Sequence, residues 1–227
     1  QGVFNSESPT FDKDYKAVLE GFTVPLITHE IGQYSVYPKI DEIAKYTGVL
    51  EPLNFISIKE DLERKSLINK AADFTKSSGK LAVILYKEEI ERAMKTAGIS
   101  GFQLLDLHDF PGQGTALVGL LDAFWDSKGL ITAAEFRQFS APVVPLLRFP
   151  KATYTNNESF VASLDVSNFS GDALNDKVIE WSIVDNNILI ASGSVTKTIN
   201  SGYNHELFKV AESLQKITKA TKLTFKV

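Results

Sequence analysis

The chain has 227 residues, 44% of them apolar and 23% charged, a formal net charge of −4 and no cysteine. This is the balance of a globular protein with a core, and it excludes disulfides, thiolate metal sites and a cysteine nucleophile. Lysine and arginine are scattered among acids, and no apolar run reaches the roughly 20 residues of a membrane helix, so neither nucleic acid nor a membrane is an expected partner.

In chain order, "QGVFNSESPT" lacks the basic and apolar regions of an export signal, and Gln1 reads either as the start left by a removed segment or as a cut end. Helical patterns then dominate. "DKDYKAVLEGF" (12–22), "KIDEIAKYTG" (39–48) with its glycine stop, and two longer amphipathic stretches across 56–97 all read as helices.

Two short apolar runs interrupt them, "FTVPLITHE" (22–30) and "GFQLLDLHDF" (101–110), each turning polar at its C-terminal end. Their continuous apolar character predicts buried, parallel, nearly adjacent strands joined by crossover helices. In such folds sites gather at the C-terminal ends of strands, which here carry His29, Glu30, Asp106, His108 and Asp109.

After "APVVPLLRFPK" (141–151) the pattern changes to period-two alternation. The runs are "SFVASLDVSNFS" (159–170), "KVIEWSIVDNN" (177–187), "ILIASGSVTKTI" (188–199) and "KLTFKV" (222–227), separated by turn signals such as "SGD". This predicts an all-β sandwich over 149–227 following an α/β region over 1–148.

Three motifs bear on chemistry. "HEIGQ" (29–33) is half of a zinc-protease helix, but that motif needs a second histidine where Gln33 stands; with only His29, His108 and His205 in the chain, no metal centre is expected. "HDFPGQGTALVGLL" (108–121) suggests a dinucleotide turn, yet Leu117 occupies the place of the third glycine, so Gly112 and Gly114 read as a tight backbone turn and no cofactor is implied. A strand-end carboxylate beside histidine and aromatic groups suits work on a sugar, which needs two carboxyls around the scissile bond. Glu30 with Asp106, Asp109 or Asp122 would satisfy that, and the same residues would equally serve as ordinary loop acids.

"VPLITHEIGQYSVYP" together with "GFQLLDLHDFPGQGTALVGLLDAFWDSKGLI" resembles the last part of glycoside hydrolases of the β-galactosidase-like clan, family 2 and its Bacteroidetes-type relatives. The resemblance covers roughly residues 10 to 150. It implies a partial (β/α)8-type barrel segment over 1–148, followed by an immunoglobulin-like sandwich over 149–227 that stops short of its last strand. It further implies that Glu30 is the catalytic nucleophile of a retaining, exo-acting enzyme, that His29 shapes the site, and that His108, Asp109 and Trp125 contact the sugar. A periplasmic or extracellular location follows from the resemblance alone.

Departures accompany it. A complete barrel takes about 250 residues, and the family's acid/base glutamate, at the end of the fourth strand, has no counterpart upstream of Glu30. The long separation of "HEIGQY" from "GFQLL" implies a helical insertion across 37–80. The chain therefore reads as a piece of a larger enzyme, partnered by a separate N-terminal part or by itself. The rival reading is a non-catalytic module that binds carbohydrate without cleaving it.

Overall fold

A computed structural model describes residues 10–110 and 117–227. The turn carrying Gly112 and Gly114 lies outside them. The chain divides into two compact units. One, the parallel-sheet unit, comprises Val24–Ile90 and Ile99–Gln138; the other, the sandwich unit, holds the residues up to Thr23, Glu91–Gly98 and Phe139–Val227.

The parallel-sheet unit contains β1 (Leu26–Ile31), α1 (Leu53–Arg64), the first five turns of α2 (Ala71–Met94), β2 (Ile99–Leu104) and a short α3 (Ala133–Arg137). Helix α2 turns Ala71, Thr75, Ala82, Tyr86 and Ile90 inward, a spacing of fours and sevens that makes one apolar stripe. Tyr86 is completely buried among Val36, Ala82, Leu120 and Leu130. Thr132 caps α3, accepting from the Glu135 N–H while the Glu135 carboxylate accepts from the Thr132 N–H, a full capping box.

Strands β1 and β2 pair in parallel, with Ile27 opposite Gly101 and Ile31 opposite Leu104. Among the described residues they form a sheet of two strands. The partial (β/α)8-type barrel segment expected from the sequence is therefore not the architecture: among the described residues no strand–helix alternation continues beyond β2, and the remaining sheets are antiparallel. Among the described residues the long connection from β2 to β3 (Val143–Arg148) contains one helix, the five-residue α3, and β3 pairs antiparallel with the strand Ser159–Asn168 instead of extending the parallel pair.

Two expected helices also shorten. Residues 12–22 give only the 3-10 turn Lys16–Val18, because Val18 and Phe22, at 66% and 59% exposure, find nothing to pack against and a lone short helix is unstable in water. Residues 39–48 likewise give the 3-10 segment Ile40–Lys45.

The sandwich unit has two antiparallel three-stranded sheets built from β3 (Val143–Arg148), β4 (Ser159–Asn168), β5 (Leu174–Asp185), β6 (Ile188–Ile199), β7 (Gly202–Ser213) and β8 (Leu223–Lys226). Their orders are β3-β4-β7 and β6-β5-β8. Leu164, Val166, Ile179 and Ile199 form the core between them. Arg148 ties the flanking segments on: its guanidinium donates to Asp165, to the Asp12 carbonyl at 2.7 Å, to the Lys95 carbonyl at 2.6 Å and to the Tyr203 hydroxyl at 2.9 Å. Among the described residues no helix is long and apolar enough to cross a membrane.

Candidate functional site

The parallel pairing decides where the strand-end residues lie. The Leu105 N–H donates to the Ile31 carbonyl at 2.9 Å, so Glu30 and the Asp106–His108 segment leave the sheet at the same end. Had the strands been antiparallel, the two clusters would sit at opposite ends.

At that end β1 bulges. The register shifts between Thr28 and Ile31, and Glu30 takes a φ of 52°, a left-handed conformation uncommon for a residue with a side chain. The bulge turns the Glu30 carboxylate toward solvent, where its side chain is 47% exposed. Gln33 steadies it, donating to the carboxylate at 3.2 Å and to the Glu30 carbonyl at 3.3 Å. His29 is more exposed still, its Nδ1 3.8 Å from the Glu30 carboxylate. The next turn is anchored from behind: Gly32 N–H donates to Glu89 at 2.8 Å, and a Cβ on Gly32 would fall 2.4 Å from the Tyr86 ring.

Beyond β2, Asp106 accepts from the Leu107 N–H at 2.6 Å and lies 3.8 Å from His108 Nδ1. That Nδ1 donates to the Asp109 carbonyl at 2.6 Å, so the ring is held by its own loop. The His108 ring meets the Trp125 ring edge to face at 4.2 Å between centroids. Trp125, with φ 67°, is 60% exposed. The loops carrying the two rings are laced together by Leu121 N–H to the Leu107 carbonyl and Asp109 N–H to the Leu121 carbonyl, both at 3.0 Å. Their approach requires Gly119, where a Cβ would sit 2.2 Å from the His108 carbonyl carbon.

Asp109 and Asp122 point the other way, into the interior. Asp109 accepts from Lys128 at 2.6 Å and from the Gly119 N–H at 3.0 Å, and both side chains of the ion pair are 2% exposed. Burial raises the Asp109 carboxyl above the ordinary range although the Lys128 charge and hydrogen bond oppose it. Asp122 accepts from the Phe124 and Asp126 N–H groups at 2.9 and 3.0 Å and pairs with Lys45. Burial pushes Asp122 up, but Lys45 and those amides prevail and hold it low.

Beneath them lies Glu42, 1% exposed, accepting from Tyr46 at 3.3 Å while its second oxygen has no protein partner among the described residues. Burial first, then the neighbouring Asp109 and Asp122 charges, raise its carboxyl. Burial and the Glu42 charge push the Tyr46 hydroxyl up to about 12.

Of the expected site residues, Glu30, His29, His108 and Trp125 thus lie at the exposed end of the sheet, with Asp106 beside them. The Asp109 carboxylate is inside and braces the loop that carries His108. The positioning roles of Lys128 and Gln33, which hold this loop and Glu30, were not legible in the sequence because a lysine or glutamine gives no periodic signal. No group of three or more His, Asp and Glu side chains among the described residues is placed to hold a metal ion.

A family model described as "Domain of unknown function (DUF8488)" matches residues 158–227. That match covers β4 to β8 and does not reach Glu30, His108 or Trp125. No curated protein matches the chain.

Proposed function

We propose that this chain carries the nucleophile half of a retaining, exo-acting glycosidase site, with Glu30 as the nucleophile. The observation that carries the reading is the parallel β1–β2 pair, which brings an exposed carboxylate and the Asp106–His108–Trp125 cluster to the same strand end. The resemblance to β-galactosidase-like glycoside hydrolases points to the same carboxylate.

In this chemistry a Glu30 oxygen attacks the anomeric carbon as the bond to the leaving oxygen breaks. The electron pair departs on that oxygen, which takes a proton from an acid about 5 to 5.5 Å from the nucleophile. Water then cleaves the glycosyl ester, giving its proton to the same residue acting as base. Trp125 offers the sugar an apolar face, and the His108 Nε2, not used in the loop bond made by Nδ1, is the hydrogen-bonding group of that ring. The buried pairs of Asp109 and Asp122 leave them unsuited to proton transfer, and Asp106, the remaining carboxyl at this end, accepts from the Leu107 N–H. The resemblance implies a separate acid/base glutamate, which in this reading a further segment or chain supplies.

The test is a panel of 2,4-dinitrophenyl β-glycosides, whose leaving group needs no protonation. The chain should release about one equivalent of phenolate and stop, and Glu30→Gln should release none. An undiminished burst from Glu30→Gln removes Glu30 from the role. Saturable sugar binding without any burst favours the second reading, a binding module, which the 60% exposed Trp125 also suits.

A further inference from the structure

The sandwich unit contains a recessed groove of about 650 Å³ where its two sheets part. Leu147 of β3, Phe160 of β4, Ile183 of β5 and Phe225 of β8 form its apolar walls. An aromatic chain runs behind them: Phe149 and Tyr154 each lie within 6 Å of the Phe160 ring, Phe160 is 5.9 Å from Phe225, and Phe225 stacks on Trp181 at 5.7 Å. This volume is in the range of small-molecule sites, commonly about 300 to 1,000 Å³.

The charge at the mouth defines the occupant. Lys219 and Lys222 line the mouth, both exposed and without an ion-pair partner among the described residues, while the lining contains no aspartate or glutamate. Of the acids nearby, Glu158 is already held by Lys151 and Thr155, and Asp185 of β5 accepts from the Thr221 hydroxyl at 3.0 Å.

A strand adding to β8 fits less well. That edge is four residues long and carries Lys226 beside Lys222, and edge lysines oppose strand pairing. We propose that the groove binds a small amphipathic anion, its alkyl or aryl body against Phe160 and Phe225 and its carboxylate between Lys219 and Lys222.

Calorimetric titration of the full chain with sodium decanoate, kept below its micelle concentration, tests this. Saturable 1:1 binding is expected, with decanol at least about tenfold weaker. Ala220→Trp, which fills the mouth from an exposed position, should abolish binding. The double charge reversal Lys219→Glu/Lys222→Glu lies on the surface, leaves folding intact, and should weaken decanoate at least about tenfold. Glu30→Gln should change nothing here, separating this site from the one in the parallel-sheet unit. Absence of saturable binding, equal affinity for decanol, or indifference to either the Trp substitution or the charge reversal overturns the proposal.

Discussion

Replacing Lys128 by Met tests whether the loop beside Glu30 is held by a buried ion pair. The methionine keeps the length of the side chain and removes the ammonium group, leaving the 2% exposed Asp109 carboxylate, among the described residues, with the Gly119 N–H alone. Breaking a buried pair on one side typically costs about 3–5 kcal/mol, against about 0–1 kcal/mol for a surface pair. With a urea slope on the order of 2 kcal/mol per molar, the unfolding midpoint of the parallel-sheet unit should fall by about 1.5–2.5 M. Each unit has one tryptophan, Trp125 and Trp181 respectively, so a Trp181→Phe background makes the emission report the parallel-sheet unit alone.

Two controls identify the cause. Adding Asp109→Asn should recover most of the loss, since the amide oxygen still accepts from Gly119 and no unpaired charge remains. Acidification should also shrink the deficit, because protonating Asp109, whose carboxyl burial already raises, removes that charge. A cost below about 1 kcal/mol, the surface-pair range, or a double variant no better than the single, would refute the reasoning.

Glu42 gives a prediction of opposite sign. Its folded-state carboxyl is raised above 4.5 by burial and by Asp109 and Asp122, so the folded state binds the proton more tightly and loses stability as pH rises from 4.5 through the raised value. Glu42→Gln should therefore be more stable than the parent at pH 8 by urea titration, with the gap closing toward pH 4. Glu158 is held down to about 2 by Lys151 and Thr155, so its contribution is present above 4.5 and is lost as pH falls toward 2. Glu158→Gln should flatten the acid limb of sandwich-unit unfolding over that window, read by Trp181 emission in a Trp125→Phe background. Gly119→Ala puts a Cβ 2.2 and 2.3 Å from backbone atoms of His108 and Asp109, so it should cost at least the 1–3 kcal/mol of ordinary overpacking (about). It should also perturb the Trp125 emission.

The strands were legible where the pattern marked them out. Burial alternates over Ala191–Thr196 of β6, and the run at 101–110 announced β2 in parallel with β1, but neither β1 nor β2 is a buried strand as its apolar run predicted: their residues are half-buried or exposed. Strand β7 was missed for a local reason: Glu206 adopts φ 47°, and the pairing with β4 shifts between Leu164 and Val166, so its inward residues fall out of step with a period of two. The barrel was inferred from a resemblance in two strand-end segments, and two parallel strands do not by themselves determine how a sheet continues. At the site, the exposed Glu30 could be picked out by its place at a strand end. The inward turn of Asp109 could not, since it depends on Lys128, 19 residues further on and unmarked by any motif.

The most direct measurement is the mass of the protein, and of its proteolytic peptides, after incubation with 2,4-dinitrophenyl β-glycosides. With no acid/base to activate water, the glycosyl ester should accumulate, adding one sugar unit to the peptide that contains Glu30 and none to the Glu30→Gln variant. A sugar attached to a different residue, or a folded chain that gains no mass from the glucoside, galactoside, mannoside or glucuronide, would contradict the assignment of Glu30 as nucleophile.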